Sequence, residues 1–284
     1  MPPMLEESLE VALRLAREAC REVLRVYESA DFDVQTKSDG SPVTLADKNA
    51  NQIILRGLRR YFPNDTVLSE EQVFDSRAPV GRRVWMIDPV DGTQDFVQRT
   101  GDFAVMIGLC ISGRPALGVV AAPALNRTWA GGLGIPAFEE TADGRKRLAL
   151  TEPTPGTPLR ALVSRTHRPK ALEAVIASLA DVGPVDAVPR GGVGVKIGLL
   201  LSGEADFYLH PAPGTHLWDC CAPAAILAAA GGKFSDASGG AIRYDDLANT
   251  ANPKGVLAAP TALHARLAPL SAACVAALPK ATKA

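Results

Sequence analysis

The chain has 284 residues, 47% of them hydrophobic and 21% charged, with a formal net charge of −1 and a pI of about 6.4. This is globular composition with length for one large domain or two ordinary ones, and the near-neutral charge excludes the basic footprint of a protein that binds a nucleic acid polymer or an anionic membrane surface. The five cysteines (Cys20, Cys110, Cys220, Cys221 and Cys274) contain no C-x-x-C, so neither a disulfide framework nor a zinc pattern is present.

The thiols fit a reducing compartment. Glu6 and Glu7 stand where a signal peptide would be basic, and no apolar run approaches the roughly 20 residues of a membrane span. A cytoplasmic protein is expected.

An apolar stripe of Leu9, Leu13, Ala16, Cys20 and Val23 predicts a helix over residues 3–28. The turn-rich Thr36–Thr44 stretch follows, and Thr44 is suited to cap a second helix that runs to about Arg60 with Asp47 in its first turn. "DTVLSEEQ" reads as a short strand ending at Glu70 and Glu71, "RVWMID" as a second strand, and "DGTQDFVQ" as the start of a short helix. Apolar runs split by "SGRP" and "ALN" over 103–133 predict a β-meander. From about Gly134 to Pro158 the chain is polar, with no convincing element beyond "RLAL". A boundary is expected there, giving an N-terminal α+β half over 1–155 and a C-terminal α/β half over 156–284.

The second half alternates. "RALVSR" is a strand, Lys170–Leu179 a helix, "VGVKIGLLLSG" a helix opened by glycines, and "ADFYLH" a strand. "DCCAPAAILAAAGG" is a helix closed by Gly231 and Gly232; "KGVLAAP" is a strand and a last helix follows.

Four carboxylates fall at the ends of these elements: Glu70, Asp88, Asp91 and Asp219. Any one alone reads as a solvated loop acid. Asp88, however, ends a buried strand, Pro89 stiffens the next turn and Gly92 permits a tight one, so Asp88 and Asp91 should point the same way. Like charges that close need a cation or a proton. All-oxygen donors select hard cations, and such ions held by carboxylates commonly serve phosphate chemistry. Gly92 and Thr93 would offer N–H groups to a phosphate at a helix start. A D-x-D-G-T nucleophile motif fails on spacing, because Pro89 stands two residues before Asp91. The "GGVGVK" loop before Lys196 can also cradle phosphate, though a solvated helix-end lysine is the plainer alternative. Cys220 and Cys221 read as packing residues, Trp85 and Trp218 as core anchors, and His210 and His216 as loop residues near the site.

"SEEQ", "WMIDPVDGTQDFVQRTGDFAVMIGL" and "LWDCCAPAAILAAAGG" resemble the lithium-sensitive, magnesium-dependent phosphatase superfamily of inositol monophosphatase, over Lys37 to Pro260. "SRTHRPK", "GGKFSDASG" and the run from Arg190 to Leu227 are more similar to its 3'(2'),5'-bisphosphate nucleotidase branch. The resemblance implies a layered αβαβα sugar-phosphatase fold, lithium inhibition, and two or three magnesium ions, with manganese as a substitute. It implies that Glu70, Asp88, Asp91, Asp219 and the Val90 carbonyl are metal ligands. Asp47 and Thr93 would position and deprotonate the attacking water, and Ser164, His167, Gly192 and Lys196 would contact the nucleotide. Lys37 would lie near a mobile loop. The implied reaction is hydrolysis of the 3'-phosphate of adenosine 3',5'-bisphosphate by metal-activated water. The alternatives are an inositol or other sugar monophosphatase and a non-catalytic metal- and phosphate-binding regulator. The implied partner is a small nucleotide bisphosphate or sugar phosphate, on a monomer or homodimer.

Overall fold

The computed structural model describes residues 4–29, 32–37, 40–75, 80–166, 170–179 and 183–277. The chain opens with α1 (Leu5–Tyr27), the antiparallel pair β1 (Gln35–Thr36) and β2 (Pro42–Val43), and α2 (Leu45–Tyr61). Next come β3 (Thr66–Ser69), β4 (Arg83–Asp91), the short helix α3 (Thr93–Val97), β5 (Ala104–Ile111), β6 (Arg114–Ala122), β7 (Arg127–Gly132), β8 (Ile135–Thr141) and β9 (Gly144–Arg147). The remainder holds β10 (Leu159–Ser164), α4 (Lys170–Ser178), β11 (Val185–Arg190), α5 (Val193–Leu201), β12 (Phe207–His210), β13 (Thr215–His216) and α6 (Leu217–Ala229). It ends with β14 (Gly232–Asp236), β15 (Ala251–Asn252), β16 (Val256–Pro260) and α7 (Thr261–Ala277).

Two sheets organise these elements. A seven-stranded sheet runs in chain order from β3 to β9, antiparallel except for the β3–β4 pair, and a five-stranded sheet has the order β11-β10-β12-β16-β14. The two-residue alternation of strands explains the stacking. On β4, Trp85 and Ile87 belong to the core built with Leu13, Ala16, Ile54 and Leu58 of α1 and α2. Met86 joins Val195, Ile197 and Cys221 of α5 and α6 on the other face. On β12, Tyr208 faces that same central layer, while Phe207 and Leu209 pack with Leu172, Val175, Leu263 and Leu267 of α4 and α7. The result is five layers: α1 and α2, the large sheet, α5 and α6, the small sheet, then α4 and α7. The large side chains in these three cores are fully buried, each contributing about 1.5–3 kcal/mol. The central core draws Met106, Val120 and Trp129 from before the expected boundary and Ile197, Tyr208 and Ile226 from after it.

The segment after the meander departs from expectation, and β11 and β14 form where no strand was expected. Residues 135–147 continue the meander as the β8–β9 hairpin, with Thr141 opposite Gly144, and no strand forms over Leu148–Leu150. β9 is fully exposed and β8 carries a proline and two glutamates, so apolar patterning is weak there. The Asp143-Gly144 step, with Gly144 at φ +115°, is the hairpin signal that reveals it. Among the described residues no helix is long and apolar enough to cross a membrane.

Candidate active site

The end of β4 shows how two aspartates three residues apart come to share a face. Asp88 pairs with Met106 of β5 and Asp91 with Ala104, so three steps along β4 match two along its partner. In a regular strand residues i and i+3 face opposite ways; the extra residue at Pro89-Val90 is a β-bulge that re-aims the second aspartate. Pro89 has no N–H to lose from the ladder at that position. The Val90 N–H donates to Asp88 Oδ1 at 3.0 Å. Gly92 then turns the chain at φ +86°, where an added Cβ would press to 2.8 Å from the Asp102 carbonyl. Asp88, Asp91 and Asp219 are all buried, and ligand oxygens of the three lie within 4.8 Å of one another.

Two acids reach the site as helix caps, Asp219 of the triad and Asp47. Asp47 is the third residue of α2: its Oδ2 accepts the Thr44 N–H at 2.8 Å and the Thr44 hydroxyl at 2.6 Å, while Oδ1 accepts the Thr93 hydroxyl at 3.1 Å. Asp219 is the third residue of α6, and its Oδ2 accepts the His216 N–H at 2.6 Å. Both are capping-box acids. One Asp47 oxygen thus serves as the helix cap, and the other meets the Thr93 hydroxyl. The Thr93 hydroxyl also lies 3.0 Å from the Val90 carbonyl. Glu70, just after β3, sits outside the tight triad but against Asp88, and its Oε1 accepts Lys37 Nζ at 2.7 Å; that ammonium also reaches Glu71 at 2.5 Å.

The glycine loop before α5 differs from the phosphate cradle expected of it. Four consecutive backbone N–H groups are taken by two aspartates of the other half of the chain. Gly191 donates to Asp102 Oδ2 at 3.0 Å and Gly192 to the Asp102 carbonyl at 3.2 Å. Val193 donates to Asp91 Oδ1 at 2.9 Å and Gly194 to Asp91 Oδ2 at 2.6 Å. A Cβ on Gly192 would overlap the Asp91 carboxylate, and one on Gly191 the Asp102 carbonyl. Glycine is therefore required for close approach, and the anion at this helix start is a side chain. Lys196, one turn on, is buried; its ammonium donates to the Gly191 carbonyl and lies 5.1 Å from the Tyr208 ring centroid.

These groups line one cavity of about 620 Å³. Its walls include Glu70, Asp88, Val90, Asp91, Gly92, Thr93, Ser164, Gly192, Lys196 and Asp219. Asp47 is fully buried behind Thr93, and His167 lies outside the described residues. Trp85 is a core anchor as expected, fully buried with its indole N–H on Asp65 at 2.9 Å. Trp218 is not: it is half-buried, stacked on His216 with ring centroids 4.7 Å apart, and lines the cavity. Cys220 and Cys221 are buried in α6 with thiols pushed up by burial. Sequence reading missed Arg165, which forms ion pairs with Asp95 and Asp102; the hint lay in its place within "SRTH".

The cluster is short of positive charge. Burial first, and neighbouring carboxylates second, push Asp88 and Asp219 well above the usual carboxylate range. Burial pushes Asp91 only to about 6, because Lys196 and the Gly194 and Val193 N–H groups oppose it. Burial also raises Asp47. Only protons or a cation relieve such crowding, and an all-oxygen donor set fits a hard divalent ion.

Five layers enclosing a carboxylate cavity define a class, and the sequence places the chain within it. The chain belongs to the inositol monophosphatase family, whose model matches residues 4–276; the family is metal-dependent, in keeping with the acidic cluster. It is 35% identical over 253 residues to the 3'(2'),5'-bisphosphate nucleotidase CysQ of Escherichia coli O157:H7, covering 86% of this chain and 97% of that protein. The crystal structure of CysQ from Bacteroides thetaiotaomicron superposes with a TM-score of 0.76 at 29% identity, covering 89% of this chain and 97% of that one. A Thermotoga maritima IMPase shares the fold at a TM-score of 0.79 and 23% identity, over 95% and 98% of the two chains.

Proposed function

We propose that the chain is a magnesium-dependent 3'(2'),5'-bisphosphate nucleotidase that converts adenosine 3',5'-bisphosphate to AMP and inorganic phosphate. The observation that carries this reading is one cavity that joins the Asp88–Asp91–Asp219 triad to the Thr93 hydroxyl and its partner Asp47, in a chain whose curated relatives are 3'(2'),5'-bisphosphate nucleotidases.

Glu70, Asp88, Asp91, Asp219 and the Val90 carbonyl would hold two or three magnesium ions, with manganese as a substitute. Bound there, the metal supplies charge for the phosphoryl oxygens and lowers the pKa of water. The chain's own groups do the rest. Thr93 Oγ1 accepts a proton from the attacking water as its own hydrogen turns to Asp47 Oδ1, a carboxylate whose affinity for protons is raised by burial. The Gly92 and Thr93 N–H groups hold the phosphoryl oxygens in line. Ser164, His167, Gly192 and Lys196 contact the nucleotide portion. Burial lowers the Lys196 ammonium to about 8, so it remains mostly charged at neutral pH. The enzyme works in the cytoplasm as a monomer or homodimer, its cysteines free.

The test is phosphate release by the purified protein with magnesium, from adenosine 3',5'-bisphosphate and from inositol 1-phosphate. The expected result is a higher kcat/KM for the nucleotide and loss of activity with EDTA. Faster turnover of inositol 1-phosphate would overturn the substrate assignment. Tight nucleotide binding with no phosphate from any ester would overturn catalysis in favour of a regulator.

A further inference from the structure

Among the described residues the side-chain partners of Arg165 are not the groups assigned above to metal, water or nucleotide but two acids behind them, and it stands at the base of the arrangement that fixes Asp91. It follows β10, and its backbone N–H donates to the Arg190 carbonyl at 3.0 Å, beside the glycine loop. Its guanidinium bridges two acids from the other half of the chain, Asp95 of α3 and Asp102 just before β5. Both acids are buried. The Thr100 hydroxyl holds Asp95 Oδ1 at 2.9 Å. The oxygen of Asp102 that meets Arg165 is the one that accepts the Gly191 N–H at 3.0 Å.

A continuous series follows: Arg165 to the Asp102 carboxylate, that carboxylate to Gly191, the Asp102 carbonyl to Gly192, and the next two N–H groups to the two oxygens of Asp91. The four donors are consecutive along a helix start, so a shift of the first two moves the last two. Charge works in the same sense. Lys196 attracts Asp91, Asp95 and Asp102 together. Without Arg165 the two outer acids would compete with Asp91 for that one ammonium.

We propose that Arg165 is a positioning residue: by clamping Asp95 and Asp102 it sets the start of α5 against Asp91, and through Asp91 it sets the affinity of the carboxylate cluster for a divalent cation. This rests on the metal-holding role given to Asp91 above. Arginine suits this place because its planar fork gives each carboxylate its own nitrogen in a fixed geometry, one for Asp95 and the other for Asp102, whereas a lysine would have to bring one point charge to both.

The test is titration of the full-length protein with manganese, by calorimetry or electron paramagnetic resonance, with melting temperature measured in parallel. Arg165→Gln leaves two buried acids unpaired and endangers folding, so Arg165→Lys, which keeps the charge, is the second variant. Arg160→Gln is the control. It breaks the Arg160–Asp206 pair, 2.9 Å long, whose residues do not line the cavity. Arg165→Lys should weaken manganese binding about 10-fold or more, the usual cost of losing a group behind a ligand. It should also raise the magnesium needed for half-maximal activity while restoring kcat at saturation. Arg160→Gln should leave manganese affinity unchanged. If the folded Arg165 variants bind manganese within about twofold of the wild type, with only the melting temperature lowered, Arg165 is merely structural and the proposal fails. If the wild type and Asp91→Asn both fail to bind manganese, the metal reading of the cluster falls and takes this proposal with it.

Discussion

Thr93→Val tests the proposed chemistry with the least disturbance of the fold. Valine keeps the branched shape at the start of α3 and removes one oxygen. That oxygen carries a single hydrogen with two acceptors in reach, Asp47 Oδ1 at 3.1 Å and the Val90 carbonyl at 3.0 Å. On the proposed reading a cation would engage the Val90 carbonyl, which would turn the hydrogen to Asp47 and leave a lone pair facing the cavity. Without it, buried Asp47 has no route to a water proton, and the rate should fall by the worth of a positioned base, about 10²–10⁴-fold. At 1.36 kcal/mol per tenfold this is about 3–5 kcal/mol of barrier. Stability should change far less. Asp47 keeps its bonds from Thr44 at 2.8 and 2.6 Å, so the folded state loses one hydrogen bond, about 1 kcal/mol, or about 2–4 °C in Tm for a domain of this size. Phosphate-release kinetics at saturating magnesium should show the loss in kcat with KM little altered, and Thr93→Ser should restore activity. A Thr93→Val enzyme that keeps more than about a tenth of the wild-type kcat would refute the role, since that exceeds what loss of a general base allows.

Two other outcomes are open to direct measurement. Asp91→Asn should abolish magnesium-dependent phosphate release and manganese binding while the circular dichroism spectrum is kept; retained activity would count against the metal assignment. His264, buried on α7, meets the Ser235 hydroxyl at 2.8 Å, and burial, followed by Lys233, lowers its pKa from 6.5 to about 4. The unfolded chain takes up the proton first, so the stability present above pH 6.5 should decline as pH falls from 6.5 to about 4, by about 3 kcal/mol at 1.36 kcal/mol per unit, and no further below that. Urea unfolding of wild type and His264→Gln at pH 7 and pH 4.5 isolates the effect, and an equal pH dependence in the two proteins would contradict it.

What could be read from the sequence divides along physical lines. α1, α2 and the strands from β4 to β7 announce themselves by apolar periodicity, because each buries a continuous face. β9, β11 and β14 do not: β9 and β11 are exposed strands at sheet edges, β11 carries Pro189, and β14 is a short edge strand that begins at Gly232, close behind the end of α6. The triad was legible because Asp88 and Asp91 flank a proline at the close of an apolar run and Asp219 opens a helix, although β4 runs on through Asp88 and ends at Asp91. The Arg165 clamp was not, since its partners lie 70 and 63 residues away and each looks like a surface polar residue on its own. "GGVGVK" was legible only halfway. Its glycines do bring N–H donors to an anion, but local sequence does not say whether that anion is a phosphate or a carboxylate from another strand.

That last ambiguity points to how the cavity holds so much negative charge. Three helix starts converge on it, and each accepts an aspartate: α2 with Asp47, α6 with Asp219 and α5 with Asp91. N–H donors and the positive end of each helix offset part of the cost of burying these acids; among the described residues no lysine or arginine salt bridge cancels their charge, and Asp219 has the His216 ring nitrogen at 3.9 Å. For Asp47 and Asp219 one oxygen belongs to the helix, and for Asp47 the other demonstrably reaches across to Thr93. The full cations are set at the margin: Lys37 on Glu70, Lys196 behind Asp91, and Arg165 one step further back. A cluster anchored by partial charges and flanked by whole ones stays folded yet electrostatically incomplete. It is this incompleteness, more than any single residue, that makes a divalent cation and a phosphate its natural complement.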